Sequence, residues 1–349
     1  MMGLAYFAPK WNPVELSGFF AAIMGLGFPI LLGLNLFFII FWLFARKVYF
    51  LISLITIVLG WGFVQRTLVF DFKGAVETEK QTLKVMSYNV QNFDLYNWTD
   101  NEVSRNNMLK LIRDENPEVI AFQEFYTEED EYFHNIKMLV NELGYDYYYF
   151  EKTLTLKETN HWGLAVFSKY PLSNKTAIPL QASTTNIITY CDITMPDKRT
   201  VRLFNVHLQS IGLANKDLKY LKEITETKPD AEASKSLKRI AAKLKSAFAK
   251  RGKQSDILHD AIKQSQTPVI VCGDFNDTPL SYTYQNVRKG LKDSFIEAGN
   301  GLGVTYAGPL PLLRIDYVFT DSLFNTLDFH VIDKKYSDHY PISAVIEFP

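Results

Sequence analysis

Cysteine is nearly missing from this 349-residue chain: Cys191 and Cys272 are the only two. Both sit in apolar, strand-like runs, where a buried free thiol is the ordinary state and a disulfide the lesser alternative. Two such residues cannot staple a small secreted fold and leave the compartment open. Excess positive charge is missing as well. The first seventy residues hold four of the 37 basic and one of the 38 acidic side chains, leaving 33 and 37 for the remainder. A mildly acidic domain lacks the electrostatic footprint of non-specific nucleic-acid binding. No internal repeat and no low-complexity tract occurs, and 47% apolar with 21% charged residues describes neither a disordered nor a fibrous chain.

Charge is scarcest near the start. Between Glu15 and Arg46 there is none, a stretch longer than the roughly 20 residues a membrane-spanning helix needs. The expectation is one transmembrane helix over 17–44 and a second over 48–65, with Trp61 as an interfacial anchor. Residues 1–70 then form a membrane anchor, 71–82 a linker and 83–349 a globular domain. The plainer alternative is a buried helical hairpin. A secretory signal peptide fits poorly, because no basic n-region precedes a short apolar core and a small-residue cleavage site. Arg46 and Lys47 between the spans should stay cytoplasmic under the positive-inside rule, which puts both termini and the globular domain outside; Arg66 and Lys73 argue the other way.

Past the linker, short apolar runs read as strands at Leu83 to Val90, Val119 to Gln123, Tyr145 to Phe150, Leu164 to Ser168, Ile187 to Thr194, Val201 to Leu208, Pro268 to Cys272, Ile315 to Thr320 and Ile342 to Phe348. Helical periodicity marks 101–115, 129–143 and 234–250. Several strands follow one another without a helix between them, which favours mixed or antiparallel sheets packed as a sandwich over a doubly wound parallel sheet. The lysines around Leu237, Ile240, Leu244 and Phe248 read first as the solvated face of an ordinary amphipathic helix, and as a phosphate-attracting surface second.

Polar and acidic residues close these strands repeatedly. Asn89 ends the first, Glu124 the second, His207 the sixth, and Val269 to Cys272 runs into Gly273-Asp274-Phe275-Asn276-Asp277. Any one carboxylate alone could be a cap or a turn residue. Hard cations such as magnesium take oxygen ligands, so Asn89, Glu124 and Asp338 could hold one ion with substrate phosphate completing its shell.

The ordered set Ser87-Tyr88-Asn89-Val90, Gln123-Glu124, Asn205-Val206-His207-Leu208, Gly273-Asp274-Phe275-Asn276, Arg314-Ile315-Asp316-Tyr317 and Ser337-Asp338-His339 resembles the motifs of the endonuclease/exonuclease/phosphatase superfamily. The resemblance spans Leu83 to Phe348 and none of the N-terminal segment. It implies a four-layer α/β sandwich of two mixed sheets with the site at one end. It also implies roles: Asn89, Glu124 and Asp338 as metal ligands for Mg2+ or Mn2+, and Asp274 as the acid that orients or deprotonates the attacking water or binds a second ion. Asn276, His207 and His339 become phosphate contacts, with Asp316 and His339 forming a carboxylate–histidine dyad. Where apurinic-site endonucleases carry a Tyr-Val-Pro-Asn type sequence, this chain has Asn205-Val206-His207-Leu208, which looks more like the deoxyribonuclease, sphingomyelinase and inositol-phosphatase branches. The expectation is a membrane-anchored, metal-dependent phosphodiesterase or phosphatase acting outside the cytoplasm on a phospholipid, nucleotide or other phosphate ester; an anchored nuclease acting on nucleic acid and a catalytically silent binding module are the alternatives. No protein partner can be inferred.

Overall fold

The computed structural model describes residues 1–71, 78–98, 103–129, 132–180, 185–213, 217 and 231–349, the side chains of 231–234 excepted. Half of the expected linker, 72–77 with Lys73 in it, lies outside the described residues, as do the first two positions of the helix expected over 101–115. Two compact units emerge. One comprises 1–64, 209–256 and 276–286; the other comprises 65–208, 257–275 and 287–349. The expected linear split into 1–70 and 83–349 is thus crossed by two later segments that group with the N-terminal one.

The first unit is helical. Helices α1 (Met2–Ala5), α2 (Leu16–Leu26), α3 (Phe28–Phe44), α4 (Phe50–Leu59) and α5 (Trp61–Thr67) carry its N-terminal part. Met2, Phe28, Leu32 and Ile57 are buried together with Leu280, and Phe19 meets Phe248 with ring centroids 6.2 Å apart. Residues 209–256 and 276–286 join this unit because they supply such apolar partners. Neither expected span is a single straight helix. Leu16–Leu26 and Phe28–Phe44 meet at 65°, and Phe50–Leu59 and Trp61–Thr67 at 77°. Pro29 in the first turn of α3 explains the first bend, since proline has no N–H to continue the α2 ladder. Among the described residues no single helix is long and apolar enough to cross a membrane; the two bent pairs pass by length and composition only.

The second unit is a pair of mixed six-stranded sheets. Strands β1 (Thr82–Asn89), β2 (Val119–Glu128), β3 (Tyr147–Leu156), β4 (Asn160–Ser168), β11 (Asn325–Val331) and β12 (Ile342–Glu347) form one, in the order β11-β12-β1-β2-β4-β3. Strands β5 (Leu172–Pro179), β6 (Ile187–Thr194), β7 (Thr200–His207), β8 (Val269–Asp274), β9 (Leu291–Asp293) and β10 (Asp316–Asp321) form the other, in the order β5-β6-β7-β8-β10-β9. Each sheet has one parallel pair, β1 with β2 and β7 with β8, and is otherwise antiparallel. Strands β5, β9 and β11 escape the hydrophobicity pattern. Each is an edge strand whose side chains are largely part-buried or exposed, so no apolar run announces it.

Alternation along the strands builds the interior. Leu83 and Val85 of β1, Val119 and Ala121 of β2, Val201 and Leu203 of β7, and Ile270 and Cys272 of β8 share one core between the sheets. The intervening Met86, Tyr88, Ile120 and Phe122 face the other way and pack with Met108, Leu109, Leu111 and Ile112 of helix α6 (Ser104–Glu115). Residues 130 and 131 of the helix expected over 129–143 lie outside the described residues, and the remainder is helical only over 135–142, with a π turn. The helix expected over 234–250 runs further, from Ala231 to Gln264.

Candidate active site

The same two-residue period that makes the core makes the site. Continuing each inward row gives Ser87 and Asn89 on β1, Gln123 on β2, Asn205 and His207 on β7, and Asp274 on β8, so the apolar rows turn polar at the C-terminal ends of their strands. Register then aligns them. His207 pairs with Asp274 across the parallel β7–β8 ladder, and Asp316 opens the antiparallel β10 opposite Asp274. Gly273 permits this: a Cβ there would lie 2.1 Å from the Val206 carbonyl oxygen, and its φ of +137° suits glycine alone.

A buried amide layer separates core from cluster. The Gln123 amide donates to Asn205 Oδ1 at 2.7 Å and to Ser87 Oγ at 3.3 Å, and Asn205 donates to the carbonyls of Phe122 and Ala165. Both amides are fully buried and span the two sheets. Sequence reasoning quoted them inside motifs but gave them no task.

Asp274 is the hub. Its Oδ2 accepts from Asn89 Nδ2 at 3.1 Å and lies 3.7 Å from both His207 Nε2 and His339 Nε2. Asn89 also reaches Glu124 Oε1 at 3.5 Å, and His207 Nε2 is 3.7 Å from that same oxygen. Separations of 3.7 Å exceed a hydrogen bond. Glu124 is aimed here by a bulge: the β2–β4 register shifts between Phe122 and Phe125, and Glu124 takes φ +50°. A run of four left-handed, non-glycine residues, Gln91 to Asp94, follows β1. Each costs about 1–2 kcal/mol, and the fully buried Phe93 helps hold the turn in the core. The turn brings Gln91 Oε1 to the Asp338 N–H at 3.3 Å.

His339 Nδ1 donates to Asp316 at 2.9 Å, both side chains being buried. Ser337 braces this corner by donating to the Asn89 carbonyl at 2.8 Å and accepting from the His339 N–H at 3.2 Å. Tyr306, unremarked in the sequence, stands edge-on to the His339 ring at 5.5 Å; burial and the charges of Asp338 and Asp274 push its phenol up to about 12. Burial alone would lower His339, but Asp316 and Asp274 carry it well above the ordinary imidazole value. His207 goes the other way, lowered by burial despite Asp274, and its Nδ1 is buried without a hydrogen-bond partner. Burial, with the Asp338 charge nearby, raises Glu124.

The structure thus gathers Asn89, Glu124, His207, Asp274, Asp316 and His339, with Asp338 next to His339 in the chain. Asn276 lies two residues past Asp274 with φ +53°, a conformation asparagine tolerates better than most.

The profile of the endonuclease/exonuclease/phosphatase family matches residues 86–339. The chain belongs to this family. Its members are hydrolases acting on phosphate esters, among them nucleases, phosphatases and phosphodiesterases, and are generally divalent-metal dependent. Residues 1–67 match a domain of unknown function. No curated protein matches the chain. Solved structures share the fold at low identity. An endonuclease/exonuclease/phosphatase from Beutenbergia cavernae is 19% identical over 77% of this chain and 72% of its own, with a TM-score of 0.56. The human Nocturnin catalytic domain is 17% identical over 77% and 95%, with a TM-score of 0.53. A mannosyl-6-phosphatase from Bacteroides thetaiotaomicron is 17% identical over 76% and 100%, with a TM-score of 0.54.

The residues of this family member suit a hard cation. Glu124 and Asp274 share a site with Asp338 and Asp316 close by, while His339 is hydrogen-bonded to Asp316 and burial lowers His207, so carboxylates outnumber the cationic groups facing them. Ligand atoms of Asp274, Asp316 and His339 also lie within 4.8 Å of one another. Within that triangle His339 Nδ1 is already hydrogen-bonded to Asp316 at 2.9 Å.

Proposed function

We propose that this chain is a divalent-metal-dependent phosphodiesterase or phosphatase, with Asn89, Glu124 and Asp338 holding Mg2+ or Mn2+. The observation that carries the reading is the position of Asp274 Oδ2 between Asn89, His207 and His339. A bound divalent ion would neutralise phosphoryl charge and lower the pKa of a coordinated water. Asp274 orients the attacking water and takes up its proton. His339, kept protonated by Asp316, donates to a phosphoryl oxygen, where added negative charge develops in the transition state. Neutral His207 and the Asn276 amide hydrogen-bond the same phosphoryl group. Chelation should abolish activity and Mg2+ or Mn2+ should restore it, while Glu124→Gln should weaken metal activation far more than folding. Activity that survives exhaustive chelation refutes the reading.

The N-terminal helices serve as a membrane anchor, with the catalytic part outside the cytoplasm. Supporting this, α3 and α4 expose Phe37, Phe41, Phe44, Ile52, Ile55 and Leu59, apolar side chains of the kind a lipid phase would cover. Phospholipids, nucleotides and nucleic acid are the substrate classes compatible with the family; the mildly acidic charge of 71–349 speaks against polynucleotides.

A further inference from the structure

Asp316 opens β10 in one sheet and His339 lies just before β12 in the other, so no ladder of paired strands sets the distance between them. One residue that has no role above bonds to both backbones. The Thr305 hydroxyl oxygen accepts from the Ile315 N–H at 3.0 Å and from the Asp316 N–H at 3.1 Å. Its carbonyl accepts from the Tyr340 N–H at 2.7 Å, and two residues further on the Ala307 N–H donates to the Asp338 carbonyl at 2.8 Å. His339 is therefore held on either side by 305–307, with Tyr306 as its bridge partner. The Thr305 N–H donates to the Leu313 carbonyl at 3.0 Å, and the residue is fully buried. None of these bonds reaches the Asp316 carboxylate or the His339 ring.

The strand start depends on that hydroxyl. β9 pairs with β10 only over Phe319–Asp321, so Asp316 has no β9 neighbour and the Thr305 oxygen serves its N–H instead. The β-branch of threonine restricts χ1 and so helps keep the oxygen in place. The loop leading to Thr305 is tied as well. Val69 and Gly301 exchange both backbone hydrogen bonds, at 3.0 and 2.8 Å, and Gly303 takes φ +57° where a Cβ would lie 2.4 Å from the Phe295 ring. The Asp316 carboxylate stands 2.9 Å from His339 Nδ1, and such constellations work only when held to within about 0.5 Å.

We propose that Thr305 is the positioning residue of the Asp316–His339 dyad: its hydroxyl fixes the Asp316 backbone, its carbonyl fixes the chain at His339, and the two side chains meet because one residue holds both. Its effect on turnover rests on the hydrolase reading above and deepens it; its effect on the geometry of the pair does not.

The test compares wild type, Thr305→Val and Thr305→Ser in the full chain. With Mg2+ or Mn2+ and p-nitrophenyl phosphate or bis(p-nitrophenyl) phosphate, Thr305→Val should lower kcat by roughly ten- to a hundredfold with KM within about threefold, because a small displacement weakens a contact made in the transition state. Thr305→Ser, which keeps the oxygen, should recover most of the loss. In an Asp316→Asn background Thr305→Val should cost less than about threefold more, whereas a residue that merely supports the fold would cost the same in both backgrounds. A second readout needs no turnover. The downfield proton resonance of the His339 Nδ1–H, identified by its loss in His339→Ala, should move upfield in Thr305→Val and keep its place in Thr305→Ser. If Thr305→Val does not fold, Thr305→Ala makes the same comparisons. A resonance that stays in place without the hydroxyl, or equal kcat losses in both backgrounds, overturns the positioning role and leaves the hydrolase reading intact. Inactivity of the wild type toward every ester overturns that reading, while a resonance that still moves upholds the hold of Thr305 on the pair.

Discussion

Replacing Asp316 by asparagine separates the dyad's electrostatics from its shape. The pair is 2.9 Å apart and buried. At an effective dielectric of about 20 the attraction is on the order of 5 kcal/mol, partly offset by the cost of drying both groups. Asparagine keeps the size but loses the charge, so the folded protein should lose about 3 kcal/mol where His339 is protonated. The sign follows from the raised imidazole pKa. Stability from the pair is fully present below the unfolded histidine value and fades as pH rises through the higher folded value. Wild type and Asp316→Asn should therefore differ most in denaturant melts near pH 6 and converge in alkali, measured with chelator present. Turnover should fall by roughly 10²–10⁴ for either Asp316→Asn or His339→Ala, and the double variant should be little worse than either single one. Additive losses in that cycle, or a stability gap that widens with pH, would refute the pairing.

Gln123→Leu should destabilise by about 2–3 kcal/mol in urea unfolding, because it strands the Asn205 and Ser87 partners between the sheets, whereas a surface amide would cost almost nothing. Burial would raise Asp192, but hydrogen bonds from Arg202 and Asn174 hold it below the usual carboxylate range. Its contribution should therefore be intact at neutral pH and disappear as pH falls through the lowered value, so wild type and Asp192→Asn should melt at clearly different temperatures at pH 7 and closer together near pH 2. The exposed apolar side chains of α3 and α4 should carry the full chain into the membrane fraction, with reporters fused after Pro349 reading outside the cytoplasm; a carbonate-extractable chain would refute the anchor, and a cytoplasmic reporter the orientation.

Much of the strand content was legible because buried strands announce themselves. Ile187–Thr194 was read to the residue, and β1, β7, β8, β10 and β12 to within two. Their side chains are largely buried on both faces, and in β1 one face looks toward the other sheet and the other toward α6. Edge strands β5, β9 and β11 have no such signature. Nor did hydropathy reveal the bends at Gly27 and Gly60, because composition is blind to a missing N–H at Pro29 or to how apolar residues pack.

For the site, sequence alone determined which residues end strands and on which face. Leu83 and Val85 lie an even number of positions before Asn89, as Val201 and Leu203 do before His207 and Ile270 and Cys272 before Asp274, and the two-residue pleat turns that parity into a shared direction. It could not determine which ends meet. The β7–β8 and β8–β10 registers put His207 and Asp316 against Asp274 from 67 and 42 residues away, while the β2 bulge turns Glu124 toward Asn89. Only the folded chain could pair Gln123 with Asn205, set Tyr306 beside His339 or bond Thr305 to both Asp316 and Tyr340. Local parity is a property of neighbouring residues, whereas register, bulges and loop contacts arise from the simultaneous packing of strands far apart in the chain.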